Sequence, residues 1–341
     1  MNTVSVFGAG SWGTALADLL ARNGHDVVLW CRRSEQAHAI TATGINPSYL
    51  SSARIHPGVA PSSDIRDAAE HSDRWVLAVP TQAVRGLLSN LVPVRATAAI
   101  CNVAKGFEIG SMLRISEIVR QILPDASFTV LSGPSFAEEV IAGLPTAVVA
   151  ASTDPGAATR WQRRFSTLHF RVYSGNDVIG VEVGGAVKNV VAIAVGAARG
   201  LRLGDNAVAA LITRGLSEIS RLGAAMGVQP QTLAGLAGIG DLMLTCYSSK
   251  SRNFRLGLEI GSGKSLDEAR NAVGQVAEGA FTVQAVVSMA DRYSVEMPIA
   301  RAVWDILYGG KKLSDVMMAL LNRDLKPEHS DPGCPPECGA L

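Results

Sequence analysis

The stretch Val4-Ser5-Val6-Phe7-Gly8-Ala9-Gly10-Ser11-Trp12-Gly13, with the turn Asn23-Gly24-His25 behind it, decides the fold. Val4–Gly8 is a short apolar run and reads as a strand. Trp12–Asn23 carries Ala and Leu at helical spacing, and Asp26–Cys31 reads as a second strand. A full G-x-G-x-x-G spans the first junction. That motif is weak alone, but here it follows a strand, opens a helix and leads on to a second strand, the context a dinucleotide-binding turn requires. Gly8 permits the tight turn, Gly10 lets a pyrophosphate approach the backbone, and Gly13 allows close helix–strand packing. The N–H groups of the first helical turn then face the anion.

The end of the second strand bears on which nicotinamide cofactor fits. An acidic residue there holds a ribose 2′-hydroxyl and favours NAD. This strand ends Leu29-Trp30-Cys31-Arg32-Arg33, with no acid. Two guanidinium groups suit a 2′-phosphate, so the expectation is NADP(H) preferred and NAD(H) possible. A solvated turn is the competing reading of Arg32 and Arg33.

Further strand-like runs, Trp75–Val79, Ala98–Val103, Phe128–Leu131, Thr146–Ala151 and Phe170–Tyr173, are separated in several places by helical stretches such as Met112–Leu123 and Gly156–Phe165. Such alternation builds a mainly parallel, doubly wound sheet with helices on both faces. Beyond Gly175 the spacing is helical: Val178–Leu222, Asn253–Ile260, Leu266–Val273, Val283–Tyr293 and Met297–Leu307. The expected organisation is an α/β Rossmann-like N-terminal domain over residues 1–178, an all-α domain over 179–326, and a disordered Pro-rich tail over 327–341. A chain of 341 residues is long enough for two cores.

Lys plus Arg number 31 against 30 Asp plus Glu, so no global charge recruits nucleic acid. No secretory leader pattern precedes Val4, and Gly, Lys and Asn interrupt the longest apolar runs, so neither export nor membrane insertion is expected. Cys31, Cys101 and Cys246 are isolated, which suits a reduced cytoplasmic protein. Cys334 and Cys338 in the tail make a weak zinc case, and no metal site is expected there.

The segment Glu182-Val183-Gly184-Gly185-Ala186-Val187-Lys188-Asn189-Val190 reads as a helix despite two glycines, each costing roughly 1 kcal/mol relative to Ala. Small residues one turn before Lys188 would admit a substrate or cofactor. Lys188, flanked by Ala186, Val187, Val190 and Val191, is not placed like a surface lysine. A buried Lys has a lowered pKa and can exchange a proton near neutrality. A structural, salt-bridged Lys explains the pattern equally well.

Several uncommon motifs now occur in a fixed order: Gly8–Gly13, Asn102-Val103-Ala104-Lys105-Gly106, Leu131-Ser132-Gly133-Pro134-Ser135-Phe136-Ala137, Gly184–Asn189, Gly238-Ile239-Gly240-Asp241-Leu242, Ser251-Arg252-Asn253 and Gly274-Gln275-Val276-Ala277-Glu278-Gly279. From Val4 to about Arg323 the chain closely resembles the bacterial-type NAD(P)-dependent glycerol-3-phosphate dehydrogenases. The resemblance implies reversible reduction of dihydroxyacetone phosphate to sn-glycerol 3-phosphate, supplying glycerophospholipid synthesis, with a homodimer possible. It implies Lys188 as acid/base beside Lys105 and Asp241, and substrate contacts from Lys105, Gly133, Ser135, Lys188, Asn189, Asp241, Ser251, Arg252 and Asn253. It implies cofactor contacts from Ser11, Trp12, Arg32, Lys105, Ala137, Arg252, Val276 and Glu278, beside the glycines and Arg33. Trp12 stands where the family commonly has Tyr or Phe.

The residue chemistry agrees with this. Hydride addition to a ketone makes an alkoxide that needs a proton, which a Lys188 ammonium can give. Asp241 can orient Lys188 or be an ordinary turn acid. Arg252, beside a helix that Ser251 caps, can hold a phosphate or be a solvated loop charge. Two other functions stay open, a related dehydrogenase of another oxo-acid and a catalytically silent NADP(H) sensor.

Overall fold

A computed structural model describes residues 2–95, 97–324 and 327–328. Eight strands form one sheet: β1 (Thr3–Phe7), β2 (Asp26–Trp30), β3 (Val59–Ser62), β4 (Arg74–Leu77), β5 (Ala99–Asn102), β6 (Ser127–Ser132), β7 (Thr146–Ala151) and β8 (Phe170–Gly175). Their spatial order is β8-β7-β6-β5-β4-β1-β2-β3. Strands β1 to β6 run parallel, β7 pairs antiparallel to β6, and β8 is parallel to β7. The order reverses about β1, so the chain leaves the sheet in opposite directions there and opens a crevice at the strands' carboxyl ends.

Strands of a sheet covered on both faces must be apolar on both sides. Val4 and Val6 pack under the helices Ser11–Arg22 and Pro155–Phe165, with Leu16, Leu20, Trp161 and Phe165. Phe7, Trp75, Leu77 and Ile100 pack on the other face with Leu88, Ile118 and Val119. The expected doubly wound α/β architecture with a helical remainder is what the chain adopts.

Several boundaries differ from expectation. Gly8 falls outside β1 because its φ of 117° leaves the strand region. The helix expected from Met112 begins at Ile115, since Met112 itself is left-handed at φ 60°. The expected helical run Val178–Leu222 is two helices, Val178–Gly200 and Gly204–Ala225, parted where Arg202 and Gly204 take positive φ. Strand β3 and the hairpin Ile45–Asn46 with Leu50–Arg54 lack the alternation that would mark them in sequence. Of the tail expected to be disordered, all but Pro327 and Glu328 lies outside the described residues, Cys334 and Cys338 included.

The helix Val178–Gly200 is the axis of the helical half. It is long and apolar enough to cross a membrane by composition, but 89% of its most apolar window is buried inside the protein. It packs against the helix Arg252–Gly261 at backbone contact. A β-carbon added at Gly196 would lie 2.0 Å from the Phe254 carbonyl oxygen, and one added at Gly257 would lie 2.0 Å from that of Ile193. No side chain fits at either place, so the helices keep one register and the residues at their ends are placed rigidly.

Candidate active site

The glycine turn after β1 has the shape of an anion cradle. A β-carbon at Gly8 would lie 2.6 Å from the Ala78 carbonyl oxygen, and one at Gly13 would lie 1.9 Å from that of Gly8. Gly10 has nothing within 4 Å of the same point, so space is open above it. The helix Ser11–Arg22 has neither a side-chain cap nor an acidic residue in its first turn. Its N–H groups are left for a ligand phosphate, which fits a dinucleotide.

The side chains around this turn are arranged unequally. The Ser11 hydroxyl donates to the Tyr49 carbonyl at 2.9 Å, so it is turned toward the hairpin. Trp12 is half-buried, its ring 6.5 Å from that of Phe170. Ala137 opens the short helix Ala137–Ile141, which packs along Ser11–Arg22. Arg32 and Arg33 stand exposed beyond the end of β2, and among the described residues no carboxylate pairs with either. Arg33 also precedes the helix Ser34–Thr43, whose N-terminal turn carries Glu35.

Where the sheet meets the helical half, three charges converge. Lys105, three residues past β5, places Nζ 2.6 Å from Asp241 Oδ2 and 3.2 Å from the Gly133 carbonyl. Lys188, midway along Val178–Gly200, places Nζ 2.6 Å from Asp241 Oδ1 and 2.7 Å from Thr245 Oγ1. Asp241 is 2% exposed and Lys188 5%. Burial pushes the Lys188 ammonium down to about 8; Asp241 opposes that shift and Lys105 adds to it. Burial also pushes the Asp241 carboxyl up, but the two ammonium groups outweigh it and hold it below the usual range. Two cations on one anion leave the cluster net positive.

Asp241 is aimed by an unusual turn. The π-helical segment Leu236–Gly240 precedes the helix Asp241–Tyr247, and Gly240 lies against the Pro134 ring, 3.8 Å from an added β-carbon. Gly184 is where this segment reaches the central helix, since a β-carbon there would lie 2.5 Å from the Ala237 carbonyl. The expectation that Gly184 and Gly185 admit a ligand is thus corrected. Gly184 admits the protein's own backbone, and Gly185 the stem of Lys105 with the Ser132 hydroxyl.

Gly133 follows β6 at φ 142°, close against Val148, and its carbonyl accepts from Ser135 Oγ at 2.9 Å. Ser251 caps the helix Arg252–Gly261 by accepting from the Phe254 N–H at 3.2 Å. That leaves Arg252 exposed in its first turn. Asn253 tethers two elements: its amide donates to Asn189 Oδ1 at 2.9 Å and accepts from the Gly279 N–H at 2.8 Å. Glu278 is half-buried at the start of Glu278–Arg292; burial raises its carboxyl, against the pull of Arg252. Val276 is 49% exposed.

Sequence reasoning passed over Thr245, although its spacing of four from Asp241 on a helix is the signal that puts both on one face. It also passed over Thr81 and Thr282, buried hydroxyls that would lie 2.6 and 3.1 Å from a β-carbon added at Gly106, with no sequence signal to join two such distant positions.

The family model described as the N-terminus of NAD-dependent glycerol-3-phosphate dehydrogenase matches residues 3–158, and the C-terminus model matches 177–318. The glycerol-3-phosphate dehydrogenase [NAD(P)+] of Geobacter sulfurreducens is 46% identical, over 95% of this chain and 98% of its own. Enzyme 1 of that name from Salinibacter ruber is 48% identical, over 96% and 98%. The crystal structure of glycerol-3-phosphate dehydrogenase from Coxiella burnetii superposes with a TM-score of 0.91 at 39% identity, covering 94% of this chain and 99% of that one.

The buried cluster makes a stability forecast independent of turnover. Asp241→Asn leaves two ammonium groups sharing a dry site without their anion, and is expected to cost about 3–5 kcal/mol. Chemical denaturation of the purified variant measures it. A loss under about 1 kcal/mol would mean that the lysines swing out to solvent at little cost.

Proposed function

The chain belongs to the NAD-dependent glycerol-3-phosphate dehydrogenases, NAD(P)-dependent oxidoreductases, and from that we propose that it reversibly reduces dihydroxyacetone phosphate to sn-glycerol 3-phosphate, with Lys188 as proton donor. The observation that carries this reading is the Asp241 carboxylate, buried between two lysine ammonium groups where the sheet loops meet the central helix.

When bound, the reduced nicotinamide supplies the hydride. The residues of this chain do the rest. The Lys188 ammonium has three protons and gives two of them to Asp241 and Thr245. The third is left for the substrate oxygen. With its pKa near 8, Lys188 is mostly charged at neutral pH yet gives its proton up more readily than an exposed lysine. Lys105 adds positive potential beside the developing alkoxide. Arg252, with the N-terminal turn that Ser251 caps, takes the phosphate. Ser135 and the Gly133 turn border the substrate opposite the Ser251–Asn253 segment, with Asn189 holding Asn253 in place.

Gly8, Gly10, Ser11, Trp12 and Gly13 receive the dinucleotide, Ala137 and Glu278 with Val276 flank it, and Arg32 and Arg33 favour the 2′-phosphate of NADP(H) over NAD(H). The product feeds glycerophospholipid synthesis in the cytoplasm, and the protein assembles as a homodimer through its helical half.

Lys188→Ala is expected to lower kcat by ~100- to 10,000-fold while sparing NADPH affinity, read by fluorescence. Retention of more than roughly a tenth of the rate would remove Lys188 from the acid role.

Replacing Arg32 and Arg33 together by neutral residues should raise KM for NADPH and leave that for NADH nearly unchanged. Equal losses with both cofactors would leave the arginines a structural role only.

Arg252→Ala is expected to cost ~2–5 kcal/mol in kcat/KM for dihydroxyacetone phosphate, with little change on unphosphorylated dihydroxyacetone. Arg252→Lys should recover part of it, since the ammonium keeps the charge but not the guanidinium fork. A variant that still discriminates the two ketones as wild type does would place the phosphate elsewhere.

A further inference from the structure

The segment Ser248–Ser251 joins the helix that begins with Asp241 to the helix that begins with Arg252. It is a tight turn, closed by the Ser251 N–H donating to the Ser248 carbonyl at 3.0 Å and the Lys250 N–H donating to Ser248 Oγ at 3.2 Å. Lys250 projects from it toward the sheet half. Its Nζ lies 2.5 Å from Glu139 Oε1 and 5.8 Å from the centroid of the Phe136 ring. Phe136 directly follows the Gly133–Ser135 turn, and Glu139 lies in the helix Ala137–Ile141 that comes next. Lys250 is therefore a strap between the two segments that border the proposed substrate site from opposite halves, joined across 111 residues of sequence.

We propose that Lys250 is a positioning residue for substrate binding: pinned by the Glu139 carboxylate and the Phe136 ring, it holds the Ser251–Asn253 end of the pocket against the Gly133–Ala137 turn. The inference rests on the reading of that site given above. Its logic is geometric. Arg252 is exposed, and the Lys105–Asp241–Lys188 cluster fixes only the floor of the site. The mouth needs its own constraint if Arg252 is to meet a phosphate at a fixed distance from the floor. A partly exposed ion pair with a ring contact is a weak fastener, strong enough to bias a closed mouth and weak enough to open at each turnover. The side chains of Lys250 and Glu139 are 46% and 36% exposed, so the pair does little for overall stability.

The test compares Lys250→Met, Glu139→Gln, the double variant and Lys250→Arg. Lys250→Met and Glu139→Gln should each raise KM for dihydroxyacetone phosphate about three- to tenfold, with kcat within about twofold and melting temperature nearly unchanged. The double variant should be little worse than Lys250→Met, because both remove one contact. Lys250→Arg, which keeps the ion pair and the ring contact, should restore wild-type KM. Hydrogen–deuterium exchange without substrate should show faster exchange in the 248–252 segment of Lys250→Met. Unchanged KM and unchanged exchange, or fully additive effects of the two single variants, would overturn the strap. Wild type inactive on dihydroxyacetone phosphate would instead sink the substrate reading, and the exchange result would still decide whether the strap exists.

Discussion

Everything in this molecule converges on one buried carboxylate. Asp241, 2% exposed, accepts from Lys105 and Lys188 at 2.6 Å each. An isolated charge in that position would neutralise itself or unfold its surroundings. The cluster stays ionised because three segments meet there: the loop after β5, the middle of Val178–Gly200, and the turn out of the π-helical segment. Two are held by glycines that bring backbones into contact. Gly184 lies against the Ala237 carbonyl, and Gly196 and Gly257 fix the central helix on Arg252–Gly261. A side chain at any of these would push a segment outward and leave a charge unpaired, so the packing of small residues and the electrostatics of the site are one constraint.

The same convergence explains how two architectures share one buried charge cluster. A parallel sheet offers loops at the carboxyl ends of its strands, and three of them carry residues of the candidate site: Gly8 after β1, Lys105 after β5 and Gly133 after β6. Such loops bind well but contain no long buried element on which to desolvate an ammonium. The helical half supplies one. Lys188 sits in the middle of a 23-residue helix that is buried along nearly its whole length, and burial there pushes its pKa to about 8. The sheet contributes the cradle, the helices contribute the desolvated lysine, and Lys105 reaches from one to the other.

How much of this could be read in the sequence depended on the range of the interaction. The glycine turn was legible because every determinant lies within thirty residues. Lys188 was marked by its apolar neighbours, although those neighbours could not say whether its partner was a substrate or a carboxylate. Asp241, 53 residues away, could be named as an orienting partner but not told from an ordinary turn acid, and Thr245, 57 residues away, becomes visible only when the helices pack. Gly184 and Gly185 were legible as a close approach but not as to what approaches, because sequence does not distinguish a ligand from the Ala237 backbone. The break at Arg202 and the late start of the helix after Met112 were missed since both are non-glycine residues at positive φ, held there by tertiary context. Strand β3 escaped because a four-residue strand with a proline carries little periodicity.

The account stands on Lys188 being a desolvated ammonium whose charge is sustained by Asp241. The direct measurement is the titration of the Lys188 side chain by carbon-13 NMR, with the resonance assigned by its loss in Lys188→Ala, in wild type and in Asp241→Asn. Asp241 raises the lysine pKa, so its removal must lower it. The expected result is a midpoint near 8 in the wild type and a lower one in the variant. A midpoint in the ordinary lysine range, unchanged by Asp241→Asn, would contradict the account.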